Sequence, residues 1–218
     1  MVKEGIRLEN SVIILAGGMS KRLGNEKALL KVGDKPLILH TLDNLPKSME
    51  KVIVVSRFEQ KRKIESVVGN RVKVVIDEFE AQSPLVGALT GFKNVREEYA
   101  LLISCDLPFL SWKVASFLLE VCLNRTASIP RWPNGYIEPL HAAYHVKSAE
   151  EAAEEALREG KLNMRSMIEK LGMVRYISTL VIKQLDPELL TFFNVNTPLD
   201  LKKAERILKE GKRTRSFS

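Results

Sequence analysis

The sequence predicts an α/β fold: a three-layer, Rossmann-like arrangement with a mostly parallel sheet and helices on both faces. Three observations predict it. Four short runs, SVIILA (11–16), KVIVVS (51–56), VKVVID (72–77) and ALLISCD (100–106), are continuously apolar and rich in Val, Ile or Leu, the pattern of strands buried on both faces. Stretches with helical spacing of apolar residues separate them. A glycine-rich, basic loop comes directly after the first run, where a sheet of this kind binds ligands.

The intervening helices are expected in order. KPLILHTLDNL (35–45) carries Pro36 as a first-turn residue. FEQKRKIESVV (58–68) and PLVGALTGFKNV (84–95) come next, and SWKVASFLLEVCL (111–123) opens on Ser111 as N-cap. This βαβαβαβ series folds as a parallel sheet with right-handed crossovers.

The second half is less regular. Residues 127–146 read as two extended segments around the turn Pro133-Asn134-Gly135. SAEEAAEEALREG (148–160) reads as a helix capped by Ser148, with Glu150 and Glu151 in its first turn and Gly160 at its end. LNMRSMIEKLG (162–172) and PLDLKKAERILKEG (198–211) read as two more, leaving a solvated basic tail. No repeat and no linker rich in Gly, Ser or Pro interrupts the chain, so one domain over 1–218 is expected.

Composition narrows the function. Of 218 residues, 45% are hydrophobic and 28% charged, which is a globular balance. No apolar run reaches the ~18 residues of a membrane span, and the first ten residues lack a secretory apolar stretch, so the cytoplasm is expected. Cys105 and Cys122 are too few for a disulfide framework or a CxxC metal site and read as buried, reduced thiols. The net charge is +7, of which Lys212, Arg213 and Arg215 supply three, leaving +4 for the rest. A modestly basic body suits anionic small-molecule substrates. With no zinc-finger spacing and no basic stripe interleaved with aromatics, no nucleic-acid partner is expected.

The most informative stretch is LAGGMSKRLGNEKALL (15–30). Gly17 and Gly18 let the backbone turn sharply and approach a ligand, and successive N–H groups there can cradle phosphate oxygens. Ser20, Lys21, Arg22 and Lys27 bring a hydroxyl and positive charge. The loop is neither a Walker A nor a GxGxxG motif, because Lys27 lies three residues after Gly24 and precedes Ala28. In SCDLPF (104–109), Asp106 ends a buried strand and Pro108 turns the chain. A carboxylate there, beside a phosphate loop, suits Mg²⁺, which takes one or two carboxylates plus substrate phosphates. The competing role is a turn cap. Asp77 ends another strand and reads either as a ribose ligand or as a loop carboxylate beside Glu78.

His40, His141 and His145 do not share a chelating helical face and read as ordinary polar or part-buried groups. Trp132 and Tyr136 flank the 133–135 turn, to stack on a planar ligand or to pack beneath it.

LAGGMSKRLGNEKALL resembles the signature of nucleotidyltransferases with the nucleotide-diphospho-sugar transferase fold. More closely, the chain resembles the molybdenum cofactor guanylyltransferases. Four further segments carry this: VIDEFEAQSPLVGAL (75–89), SCDLPFL (104–110), GYIEPLHAAYH (135–145) and FFNVNTPLDL (192–201). The resemblance spans roughly 11–210 and implies a nucleotide-binding half (about 11–110), an acceptor-binding half (about 111–210) and a basic tail (211–218). It implies that Leu15, Ala16, Gly17 and Gly18 hold the nucleotide, with Arg22 and Lys27 on its phosphates and Asp77 on the nucleoside. Asp106 would bind Mg²⁺, and Asn194 and Asn196 would lie near the acceptor's pterin end. The chain departs from the family at Ser83, where Gly usually precedes the Pro-Leu pair, and at Leu23, where Met is common.

The activity so implied is transfer of GMP from GTP to the terminal phosphate of molybdopterin or molybdenum cofactor, with pyrophosphate leaving. No side-chain nucleophile is needed, because the attacking phosphate is already an anion. That agrees with the absence of a Ser-His-Asp or Cys-His pattern. GTP and the pterin are the expected partners, with transient contact to cofactor-biosynthesis proteins and acceptor apoenzymes, and no membrane. The rival activities are another donor such as CTP, another phosphorylated acceptor, or a non-catalytic nucleotide-binding regulator.

Overall fold

The computed structural model describes residues 10–17, 26–77 and 83–215, with side chains through 210. In chain order its elements are β1 (Ser11–Leu15), β2 (Lys31–Val32), β3 (Lys35–Pro36), α1 (Leu37–Asp43), β4 (Glu50–Val55), α2 (Phe58–Val68), β5 (Lys73–Ile76) and α3 (Pro84–Phe92). Then come β6 (Tyr99–Ser104), α4 (Trp112–Cys122), β7 (Ala127–Arg131), β8 (His141–His145), α5 (Val146–Arg158), α6 (Met164–Ile168), β9 (Val174–Ser178), α7 (Thr179–Ile182) and α8 (Pro198–Arg215). No helix among the described residues is long and apolar enough to cross a membrane.

Seven strands form one sheet in the order β5-β4-β1-β6-β8-β7-β9. β5, β4, β1 and β6 are mutually parallel, β8 runs against both β6 and β7, and β9 lies parallel to β7. The sheet is mostly parallel, as expected, with β8 the reversed strand. Alternate residues of each strand point to opposite faces. Val12, Ile14, Ile53 and Ile103 pack with Ile38, Ile64 and Leu118 of α1, α2 and α4. Ile13, Val52, Val54 and Leu102 pack with Leu85 and Leu89 of α3, Ala153 of α5 and Met167 of α6. Those two apolar layers with the sheet between them make the three-layer fold.

Helix α3 lies directly on β1. A Cβ at Gly91 would be driven into Ile13 Cγ2, a fully buried atom. Gly91→Ala should therefore destabilise the protein by about 1–3 kcal/mol through overpacking, although Ala is the better helix former. Urea denaturation checks this, and an unchanged midpoint would contradict it.

Several local expectations are met. α2 spans the expected residues, Ser111 Oγ accepts the Val114 N–H at 3.5 Å, and Gly135 takes a positive φ of 87° in the turn. Gly160, at φ 74°, ends the fifth helix as expected. Others are corrected. α5 starts at Val146, not Ser148, because His145 caps it: its Nδ1 accepts the Ser148 N–H at 3.3 Å. Glu150 and Glu151 consequently fall beyond the first turn. Pro36 closes β3 instead of opening α1, its ψ of 145° being extended. The helix in 162–172 is only Met164–Ile168, opened by Asn163, whose Oδ1 accepts the Ser166 N–H. Gly211 does not stop the last helix, so the expected tail is helical through Arg215.

Candidate active site

The parallel strands end on one edge of the sheet, and a cleft of about 630 Å³ opens there. One wall comes from the ends of β1, β4 and β5: Leu15 and Gly17, Val55 and Ser56, then Asp77. From β6 come Ser104, Cys105 and Asp106. The far wall is built from 138–141, Phe192, Asn194 and Asn196. Of the expected site residues, Leu15, Gly17, Lys27, Asp77, Asp106, Asn194 and Asn196 all line this one cleft. Gly18 and Arg22, with Ser20, Lys21 and Gly24, lie outside the described residues.

Ala16 is buried behind the cleft, and its backbone is pinned on both sides. Its N–H donates to Val54 O at 2.8 Å and its carbonyl accepts from Gln60 Nε2 at 2.6 Å. The Gly17 carbonyl accepts from Ser56 Oγ at 2.5 Å. A Cβ at Gly17 would lie 2.7 Å from that same oxygen, so the chain can pass Ser56 this closely only as glycine. Ser56 and Gln60 thus fix the start of the loop.

Lys27 sits on a short 3₁₀ turn, Lys27–Leu29. Its ammonium forms an ion pair with Asp106 Oδ2 and donates to Asn196 Oδ1 at 2.5 Å. Asp106 is 5% exposed, and its other oxygen, Oδ1, accepts from Ser104 Oγ. Its described side-chain bonds go to Ser104 and Lys27, none to a backbone N–H as a turn cap would require. The Asp106 carbonyl accepts from Val195 N at 3.1 Å, clipping the Asn194–Asn196 segment onto the end of β6. Asn196 therefore stands beside the Lys27–Asp106 pair, while Asn194 donates from Nδ2 to Phe192 O at 3.2 Å. Asp77 is held on Oδ1 by Thr90 Oγ1 of α3, at 2.9 Å. Ser83, at the family's usual glycine position, caps α3 by accepting the Val86 N–H at 3.2 Å.

Ser104 was not among the expected site residues, yet it orients the central carboxylate. Ser104→Ala leaves one Asp106 oxygen without its donor, a loss of about 1 kcal/mol. Turnover should fall about three- to tenfold while the melting temperature changes little; turnover equal to the parent's would deny Ser104 this positioning role.

On the far wall burial sets the charges. His141 is fully enclosed, and desolvation pushes its imidazole down to about 3, so the ring is neutral. Burial holds the Glu138 carboxyl above the usual range, opposed in part by the Trp132 indole N–H that donates to it at 2.7 Å. Trp132 packs edge-on against Phe192, with centroids 5.6 Å apart, whereas Tyr136 is 73% exposed. Burial pushes the Cys105 thiol up to about 12, with the Asp106 charge adding to it, and Cys122 likewise reaches about 12. Both are free, buried thiols with no nucleophilic character near neutrality.

Among the described residues no three His, Cys, Asp or Glu side chains gather to hold a metal. Asp106 is the one carboxylate beside the Lys27 ammonium, apart from Asp77 and Glu138, in a cleft of polyanion size. That suits a hard cation whose other ligands are phosphate oxygens and water, and does not suit an all-protein zinc or iron site.

A carboxylate and an ammonium at the carboxyl edge of a mostly parallel sheet, with Gly17 packed closely beyond β1, fit a nucleotidyltransferase of the nucleotide-diphospho-sugar transferase fold. Similarity to known proteins agrees. Residues 12–174 match the family model for the MobA-like NTP transferase domain. A Methanosarcina mazei protein named as a probable molybdenum cofactor guanylyltransferase is 34% identical over 205 residues, 91% of each chain. The crystal structure of molybdopterin-guanine dinucleotide biosynthesis protein A from Archaeoglobus fulgidus superposes with a TM-score of 0.80 at 28% identity, covering 92% of this chain and 99% of that one. The fold extends to the 2-C-methyl-D-erythritol 4-phosphate cytidylyltransferase of Thermus thermophilus, with a TM-score of 0.66 at 18% identity, over 91% and 98% of the two chains. The chain belongs to the MobA-like NTP transferase family.

Proposed function

We propose that this protein transfers GMP from GTP to the terminal phosphate of molybdopterin or molybdenum cofactor and releases pyrophosphate. The observation that carries this is the Lys27 ammonium, which joins the carboxylate at the end of β6 to Asn196 at one point in the cleft. Two polyanions must meet there, and neutralising their repulsion is the main catalytic task.

The nucleotide lies over 15–18, its nucleoside toward Asp77, its phosphates on the loop N–H groups, Arg22 and Lys27. Asp106 holds Mg²⁺, which supplies Lewis-acid neutralisation of the phosphate charge. Lys27 leaves Asp106 for the β- and γ-phosphates as the triphosphate binds, a move of a flexible side chain along a cleft already open to it. Asn194 and Asn196 lie toward the acceptor's pterin end, and its phosphate approaches in line. An oxygen of that phosphate forms a bond to the α-phosphorus, the bond to the β-bridging oxygen breaks, and pyrophosphate takes the electron pair. No protein group needs to accept a proton. The protein works in the cytoplasm, and its product passes to other cofactor-biosynthesis proteins and acceptor apoenzymes.

Incubation with molybdopterin, Mg²⁺ and GTP labelled at the α-phosphate tests this. The label should appear in a pterin dinucleotide, one per pyrophosphate. Label remaining in GTP, or released as free GMP, would contradict the proposal.

A further inference from the structure

The segment 138–141 contributes two polar side chains to the cleft that the phosphate chemistry leaves unused, Glu138 and His141. Register places them on the acceptor side. β8 pairs antiparallel with β6, so His141 lies opposite Ile103, next to the Ser104–Asp106 end. Leu15 and Asp77 lie on the other side of β6, at the ends of β1 and β5. Phosphates at Lys27 and Asp106 therefore separate a nucleoside on the β1–β5 side from whatever contacts 138–141.

Both polar groups are fixed in orientation. Trp132 Nε1 holds Glu138 Oε1 at 2.7 Å. Thr191 Oγ1 accepts the Ser111 N–H at 3.0 Å and lies 3.2 Å from His141 Nε2. Taking the Thr191 hydroxyl as the donor to Nε2 assigns the neutral ring's proton to Nδ1. That Nδ1 is buried and has no hydrogen-bonding partner among the described residues. A buried donor without a partner is costly unless something supplies an acceptor. The surrounding wall is apolar: Phe192 stacks edge-on against His141 at 4.8 Å, and Pro139 and Leu140 complete it. An acceptor carboxylate and an N–H donor, three residues apart on an apolar wall, complement a flat ring with N–H donors beside a carbonyl or ring nitrogen.

We infer that Glu138 and His141 are the specificity-determining pair for the acceptor's ring, reading the 2-amino-4-oxopyrimidine edge of a pterin, an inference that rests on the function proposed above. Glu138 takes the amino and ring N–H donors, and His141 Nδ1–H gives to the carbonyl or a ring nitrogen. Guanine presents the same edge but belongs on the opposite side of β6.

Fluorescence titration of the full-length protein tests this with two free rings: pterin, which has the 2-amino group, and lumazine, which has an oxo group in its place. The parent should bind pterin about tenfold or more tighter than lumazine. Glu138→Gln keeps the oxygen that Trp132 bonds but brings an N–H₂ where the ring donates. It should weaken pterin about tenfold or more and erase the preference. His141→Phe keeps the ring packed on Phe192 and removes the donor, and should weaken pterin by a similar factor. GTP affinity should be unchanged in both. Pterin affinity equal to the parent's in both variants, or a loss falling on GTP instead, would overturn the inference while leaving guanylyl transfer standing. A parent that binds GTP but neither pterin nor molybdopterin would overturn both. If His141→Phe does not fold, Glu138→Gln still decides.

Discussion

Asp106→Asn is expected to leave the protein folded and to lower turnover by about two to three orders of magnitude. Asn keeps the shape and can still accept from Ser104 Oγ through its carbonyl oxygen. What it loses is the charge, and with it both the ion pair with Lys27 and the seat proposed for Mg²⁺. Its amide N–H₂ would then face the Lys27 ammonium, donor against donor. Lys27 can swing into the cleft and keep Asn196, so the stability loss should stay within about 1–2 kcal/mol. A Mg²⁺ titration of pyrophosphate release, beside a thermal melt, separates the two effects. A variant as active as the parent at the same Mg²⁺ would remove Asp106 from the chemistry.

Lys27→Ala is the second large effect. GTP affinity should fall about tenfold or more, the loss of a charge-assisted contact to phosphate, and turnover should fall with it. Truncation removes no core volume, because the ammonium lies in the cleft and not in an apolar layer. A second readout distinguishes phosphate binding from structural support. Lys27 sits on the Asp106 oxygen that the proposed divalent cation would use. Mn²⁺, monitored by electron paramagnetic resonance without nucleotide, should therefore bind Lys27→Met more tightly than the parent. Unchanged GTP affinity and unchanged Mn²⁺ binding together would show that Lys27 serves neither purpose.

The half of the fold built from β1, β4, β5 and β6 was legible because its strands are buried on both faces and read as unbroken apolar runs. β9 was not. As an edge strand its VRYIS leaves Arg175, Tyr176 and Ser178 exposed, so neither alternation nor an apolar run marks it. β2 and β3, at two residues each, are too short to carry any period. The cap of α5 was placed three residues late because a serine is the commoner cap, whereas here His145 at the end of β8 does that work.

The site divides in the same way. Asp77 and Asp106 could be found by looking just past the carboxyl end of a buried strand, and Lys27 by following the glycine-rich loop that leaves β1. Asn194 and Asn196 could not; only the family resemblance pointed to them, because an irregular connection has no period to read. Gln60 lies on the buried face of α2, where a polar residue breaks the amphipathic pattern, and that break was the available signal. Ser104 was similarly visible as the one polar residue closing an otherwise apolar strand. Glu138 and His141 belong to the segment GYIEPLHAAYH, but their place beside the Asp106 end of the cleft depends on β8 running against β6, which spacing alone does not give.

The most direct test is pyrophosphate release from molybdopterin, Mg²⁺ and each of the four nucleoside triphosphates in turn. Guanylyl transfer predicts release with GTP exceeding that with ATP, CTP or UTP by about a hundredfold or more in kcat/KM, and no release when molybdopterin is omitted. Equal or faster release with CTP, or none with any of the four, would contradict it.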